Sequence, residues 1–372
     1  MADYSLPQLT TVQSSGLSTS FQAATENADV TLTAVPGTSH AAFTSNATLQ
    51  AAIRNFIGSV NPGGPIANAQ FTIIPSDGET HTVDGTSYPV MGKLYVPTGL
   101  AASQIDVLVV FHGTLTDDDT TTIGNAAVTS LNFFLDTGGL NCRDLIIFSA
   151  AYPQDHISNT LQFNISGVGT EASTFLMGDN IVYTRAAVGW VKNSLNAYIA
   201  AQGGSKTIGD VYLFGHSQGG KLVTKMNTIE EGIAGVVANA PGPIQFDQTC
   251  FADGSNTSCS KVAAIHGAST GDGSEPYKSI GLETYTYQHK APILFTQAKG
   301  DTTGAGNQYA WLVDYVNDIG ATADQTVNTL FSDSELVTTN FTMVGLTAQE
   351  RGWNAPGRPQ SGQMYPRGVY NK

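Results

Sequence analysis

Five short apolar runs, separated by helical stretches and turns, constrain this chain more than any other feature. Asp106–Phe111 (Asp-Val-Leu-Val-Val-Phe) and Asp144–Ala150 are continuous apolar segments, as expected of strands covered on both faces. Val211–Phe214, Ile233–Asn239 and Pro292–Thr296 are three more. The stretch Ile181–Ala200 lies between the second run and the third. Its Val188, Val191, Leu195, Tyr198 and Ile199 recur with the helical period of about 3.6 residues. Ser217–Ile229 separates the third run from the fourth. Tyr309–Ile319 follows the fifth, with Leu312, Val316 and Ile319 on one face. Ala69–Ile74 and Lys93–Val96 read as strands near the edge of the sheet. Strands alternating with helices predict an α/β fold: a mostly parallel sheet with helices on both sides.

The rest of the chain hangs on this rhythm. Residues 1–65 are rich in Thr, Ser and Ala and read as an N-terminal extension packed on a main domain, 66–372. One helix stands out in the extension, capped by Ser45 or Asn46, with Leu49, Ile53, Phe56 and Ile57 on one face. Asn61-Pro62-Gly63-Gly64-Pro65 then breaks the chain. Residues 243–290 interrupt the alternation after the fourth buried run. An insertion there suits a lid over a pocket.

Hydrophobic residues make up 41% of the 372 and charged residues 12%, enough to bury a core. The net charge of −14, with only 16 Lys and Arg, argues against nucleic acid and anionic membranes as partners. No apolar run reaches the roughly 18 residues of a membrane span. Met1–Ser20 carries no basic start or apolar stretch, so no secretory signal is read there. Low charge and abundant Ser, Thr, Asn and Gly nevertheless point to an extracellular protein. Cys250 and Cys259 lie close enough to form a disulfide or remain two surface thiols; Cys142 is left over. No cysteine spacing resembles a zinc site. Asp117-Asp118-Asp119 and Gly271-Asp272-Gly273 read as solvated loops rather than cation sites, and no metal or organic cofactor is expected.

The chemistry sits in Val211-Tyr-Leu-Phe-Gly-His-Ser-Gln-Gly-Gly-Lys-Leu-Val. This is strand, sharp turn, helix. Gly215-His216-Ser217-Gln218-Gly219 matches the nucleophile elbow, in which a strained turn lifts the serine Oγ above the sheet. The same segment holds most of a phosphate-binding loop, Gly215-x-x-x-x-Gly220-Lys221. Leu222 stands where that loop needs Ser or Thr for Mg²⁺, so the nucleotide reading falls below the nucleophile. Two further pieces frame the serine. Phe111-His112-Gly113-Thr114 ends the first buried run, and His112 itself reads as a prop for this loop. Pro292-Ile-Leu-Phe-Thr-Gln-Ala-Lys-Gly-Asp301 runs from an apolar strand into a Gly-Asp turn.

With these three pieces the chain resembles the α/β-hydrolase superfamily over about residues 90–350, in the branch with a His-Gly loop. The resemblance implies a serine hydrolase that cleaves carboxylic esters, small or polymeric, through an acyl-serine. Ser217 is then the nucleophile and Asp301 the acid that orients an imidazole. The oxyanion hole is formed by the backbone N–H of Gln218 with that of Thr114 or Leu115.

The superfamily orders its triad Ser, acid, His along the chain. Here the histidines stand at 40, 81, 112, 156, 216, 266 and 289, and none follows Asp301. Asn340-Phe-Thr-Met-Val-Gly reads as the last strand. The loop after it offers only Gln349, Glu350 and Arg351. Three explanations stand open. The base comes from elsewhere, with His266 the first choice, His156 another and His289 badly placed. Alternatively Asp272 is the acid and His289 the base. Otherwise the base is lost, and the chain is a non-catalytic binding or structural member of the fold.

Overall fold

A computed structural model of the chain describes residues 30–60, 66–73, 78–83, 85–114, 120–152, 162–165, 169–172, 177–255, 259–260, 263, 267–271, 277, 281–282, 289–301, 308–318, 321–324 and 337–343. The chain opens with β1 (Val30–Val35), a short 3₁₀ turn at Ala42–Thr44 and α1 (Ala47–Phe56). The strands β2 (Asn68–Ile73), β3 (Thr80–Val83), β4 (Thr86–Pro89), β5 (Gly92–Pro97) and β6 (Gln104–Phe111) follow, and then α2 (Thr120–Leu135). Next come β7 (Ile146–Ala150), β8 (Gln162–Ile165) and β9 (Gly169–Ala172), then α3 (Met177–Asn193) and α4 (Leu195–Ala201). The strand–turn–helix around Ser217 is β10 (Thr207–His216) and α5 (Gln218–Ile229). After it come β11 (Gly235–Asn239), α6 (Phe246–Ala252), β12 (Ile293–Ala298), α7 (Gln308–Asp318), β13 (Ala321–Asp324) and β14 (Val337–Met343).

Ten strands form one sheet in the order β13-β14-β1-β12-β11-β10-β6-β7-β5-β2. The six from β1 to β7 in that order run parallel; the flanking pairs are antiparallel. The five apolar runs became β6, β7, β10, β11 and β12, all in the parallel part, and β2 and β5 stand at the edge side, as expected. Helices cover both faces. Leu49 and Ile53 of α1 and Leu131 and Phe134 of α2 pack with Leu108 and Val110 of β6. Val188 and Val191 of α3, Leu222 and Met226 of α5 and Leu312 and Val316 of α7 pack with Val107 and Val109 on the other face. Alternate residues of one strand thus feed two cores. This is the α/β-hydrolase arrangement: a mostly parallel sheet, helices on both faces, and a strand–turn–helix elbow at its centre.

Two expectations need correcting. The helical stretch Ile181–Ala200 is two helices, broken at Ser194, which is not helical. More consequentially, the segment read as an N-terminal extension supplies a strand of the main sheet. β1 pairs in parallel with β12 from Val30↔Ile293 to Val35↔Ala298, and antiparallel with β14 on its other side. Leu32, Thr33, Ala34 and Val35 are all buried. Asn46 caps α1 by accepting from the Thr48 and Leu49 amides, a contribution of about 1 kcal/mol.

β14, the strand read as last, runs antiparallel to β1, with Phe341 opposite Val30. Its carboxyl end therefore leaves at the amino-terminal edge of the parallel strands, away from the elbow. The residues expected to follow it into the site, Gln349, Glu350 and Arg351, lie outside the described residues. Within the insertion, α6 carries Phe246 and Cys250, which form a small separate core with Cys259 and Tyr277. Cys250 and Cys259 are disulfide-bonded, and Cys142 is free and buried. Among the described residues no helix is long and apolar enough to cross a membrane.

Candidate active site

β10 ends in the elbow because two glycines let backbone segments meet. A side chain on Gly215 would run into the Gly219 carbonyl, and one on Gly219 into the Phe111 and His112 carbonyls. Backbone cannot yield as a flexible side chain can, so glycine is required at both. Ser217 holds φ 55° and ψ −116°, a strained conformation for a residue with a Cβ. Hydrogen bonds on both sides maintain it. The Ser217 amide donates to the Asn239 carbonyl at 2.9 Å, and its carbonyl accepts from the amides of Lys221 at 3.0 Å and Gly242 at 3.2 Å. The turn is thus pinned by α5 and by the chain leaving β11.

The imidazole at Ser217 belongs to His40. His40 Nε2 lies 2.8 Å from Ser217 Oγ, and His40 Nδ1 lies 2.6 Å from Asp301 Oδ2. Asp301 is fully buried, while the His40 side chain keeps 21% of its exposure. The local cause is β1. It runs beside β12, so both chains leave the sheet at the same carboxyl edge. Their pairing continues past the strands: Lys299 N–H donates to the Val35 carbonyl at 2.7 Å and Gly300 N–H to the Gly37 carbonyl at 2.8 Å. The loop carrying His40 is therefore laced to the turn carrying Asp301. A carboxylate at Nδ1 fixes the tautomer with its proton there, leaving Nε2 as an acceptor for the serine hydroxyl.

The structure thus brings Ser217 and Asp301 together as the sequence led one to expect, and joins them through a residue not selected from the sequence. His266, His156 and Asp272 lie outside the described residues. His289 is buried before β12, at the opposite edge, with its Nε2 3.4 Å from the Tyr315 hydroxyl. In chain order the three groups run His, Ser, Asp. That is a cyclic rotation of the order Ser, acid, His that the resemblance implies.

Gln218 is the first residue of α5, so its amide has no acceptor within the helix. The amino end of α5 carries a partial positive charge that favours an anion beside Ser217. The Thr114 hydroxyl donates to Gln218 Oε1 at 3.0 Å and ties the His-Gly loop to the elbow. Leu115 lies outside the described residues. His112 stacks on Tyr152 with ring centroids 4.2 Å apart, and its Nδ1–H donates to the Gly113 carbonyl at 2.8 Å. The Tyr152 hydroxyl donates to the His112 carbonyl. His112 therefore props the loop. Lys221, the lysine of the discarded phosphate-loop reading, is buried with its ammonium 5.5 Å from the centre of the Phe246 ring.

Beside His40 lie the rings of His216, 5.1 Å away, and, against that ring, Phe43. Asn239 Nδ2 donates to His216 Nδ1 at 2.7 Å, and the Thr296 hydroxyl donates to Asn239 Oδ1 at 2.7 Å. Burial, with the neighbouring His40 adding to it, pushes His216 down to about 3. Burial pushes His112 down to about 4. Both imidazoles are neutral at pH 7. Their unfolded value is 6.5, so below it the unfolded chain takes up protons that the folded chain refuses. The sign is a stability fully present above 6.5 and lost as pH falls towards 4 and then 3. The melting temperature is expected to drop steadily from pH 6.5 to pH 4, and less steeply in His112→Phe. A flat profile over that window would contradict the buried neutral state.

Among the described residues no group of three His, Cys, Asp or Glu side chains could hold a metal ion. No protein-family model matches the chain, and no curated protein matches it in sequence. Solved structures share its shape distantly. The Pyrococcus horikoshii acylaminoacyl peptidase aligns with TM-score 0.39 and 10% identity, covering 69% of this chain and 36% of its own. A Pyrococcus furiosus esterase aligns with TM-score 0.36 and 15% identity, covering 62% and 70%. A fungal esterase from Rhizomucor miehei aligns with TM-score 0.40 and 12% identity, covering 77% and 85%. The chain spans about a third of the length of the peptidase.

Proposed function

We propose that this protein is a serine hydrolase that cleaves carboxylic esters through an acyl-serine intermediate. The observation that carries the reading is the unbroken line Asp301–His40–Ser217, with both links at hydrogen-bond distance. A serine hydroxyl is a weak nucleophile until a neighbouring base takes its proton. His40 Nε2 accepts that proton as Oγ attacks the ester carbonyl carbon. Asp301 stabilises the imidazolium that forms, and in its buried position it does so in a medium that screens little. The negative charge on the former carbonyl oxygen falls to the N–H of Gln218 at the amino end of α5 and the N–H of Thr114 in the His-Gly loop. Collapse of the tetrahedral intermediate breaks the bond to the alcohol, whose oxygen takes the proton from His40. Water then attacks the acyl-serine by the same route, returning Ser217 and releasing the acid.

A non-catalytic role rests on the absence of a base at the serine. His40, at 2.8 Å from the serine oxygen, removes that reason. The bond between Cys250 and Cys259 supports an oxidising compartment and hence export.

The test uses two small reagents. The protein should turn over a short-chain chromogenic ester, and an alkyl fluorophosphonate should add one phosphonyl group per chain, mapped by peptide mass to Ser217. A label on another residue, or neither turnover nor label, would overturn the proposal.

A further inference from the structure

Gln297 is a buried residue of β12 whose side-chain amide is only half used. It is 1% exposed. Its Nε2–H donates to Asp301 Oδ2 at 2.7 Å, the same oxygen that accepts from His40 Nδ1. Its Oε1 is buried and has no hydrogen-bond partner among the described residues. The reversed amide is no remedy, because it would set a carbonyl oxygen against a carboxylate. Packing alone does not favour such a residue. A methionine or leucine would fill similar space without leaving a buried acceptor unsatisfied, and an unsatisfied buried group forfeits its full hydration. The orphaned oxygen is the cost of placing an N–H donor on Asp301.

From this we infer that Gln297 is a positioning residue for the hydrolase reading above. Its N–H fixes the rotation of the Asp301 carboxyl group, so that Oδ2 stays in line with His40 Nδ1–H. A carboxylate on a short side chain rotates about its last bond at little cost, and a donor on Oδ2 beside His40 Nδ1–H resists that rotation. Charge-assisted bonds of this kind are the strong ones. The fold carries the arrangement locally, since Gln297 precedes Asp301 by four residues across the end of β12 and its turn.

The substitution Gln297→Met removes the donor and the orphan together while nearly conserving volume. It should lower kcat about tenfold, the value of one hydrogen bond to a charged group, leave KM within about twofold, and leave the melting temperature unchanged or raised. A lower melting temperature with an unchanged kcat would mark Gln297 as packing and overturn the inference. A readout independent of turnover guards the case in which the variant changes in both respects. The His40 Nδ1 proton, hydrogen-bonded to a carboxylate, should give a far-downfield proton resonance in the intact protein. In Gln297→Met, and in Gln297→Leu, it should move or broaden. A resonance that keeps its position and width overturns the inference whatever the activity does. Absence of ester turnover and of phosphonate labelling in the wild type, with the resonance still moved by Gln297→Met, would instead overturn the hydrolase reading and leave the positioning role standing.

Discussion

His40→Ala is expected to lower kcat for ester hydrolysis by about four orders of magnitude or more. Nothing else among the described residues stands where it could take the Ser217 proton. The two other imidazoles nearest the elbow are already committed: His216 accepts from Asn239 at Nδ1, and His112 donates to the Gly113 carbonyl. The loss should fall on kcat, because the base works only as the bond to Oγ forms, and KM should change little. Stability should fall modestly. Asp301 stays buried and keeps Gln297 but loses one donor, an effect of about 1–3 kcal/mol. His289→Ala should keep the wild-type kcat, since His289 sits at the opposite edge of the sheet. Progress curves with a chromogenic ester measure all of these.

Ser217→Ala should lose about six orders of magnitude in kcat, with no phosphonate label. The fold should survive. An alanine meets the same backbone conformation as the serine, so the strain at φ 55° is neither added nor relieved. The bonds that pin the turn use the backbone of residue 217, not its hydroxyl. His40 Nε2 loses its partner, but the ring is partly exposed and water replaces the hydroxyl. The melting temperature should therefore stay close to that of the wild type. Activity retained in this variant would remove Ser217 from the mechanism.

Much of this architecture was legible in the residues. The buried strands announced themselves as continuous apolar runs, because a strand covered on both faces has no polar side to show. The elbow was legible because its glycines are dictated by backbone contact. Asp301 was legible from its place after an apolar strand. His40 was not, and the reason lies in β1. Leu32–Val35 of the strand Val30-Thr-Leu-Thr-Ala-Val are buried on both faces, yet its threonines break the apolar run and blend it into a Thr/Ser-rich stretch. Its partners in the sheet lie more than 250 residues away, and no local pattern records them. His40 and Asp301 are 261 residues apart in the chain.

The order Ser, acid, His places the imidazole after Asp301, although a catalytic site requires only that three side chains meet. The available signal was Val30–Val35 itself: a short stretch rich in β-branched residues, closed by Pro36-Gly37, with a histidine three residues beyond. That is the same strand–turn–functional-residue pattern that identified Asp301.

The central claim is that His40 and Ser217 act as one unit, and a double-mutant cycle measures it directly. Residual kcat/KM is determined for Ser217→Ala, for His40→Ala and for the two together, with His266→Ala as a fourth variant. If the two residues share one proton transfer, the double variant is no slower than Ser217→Ala alone, and His266→Ala stays within about threefold of the wild type. Losses that multiply in the double variant, or a His266→Ala loss as deep as that of Ser217→Ala, would contradict it.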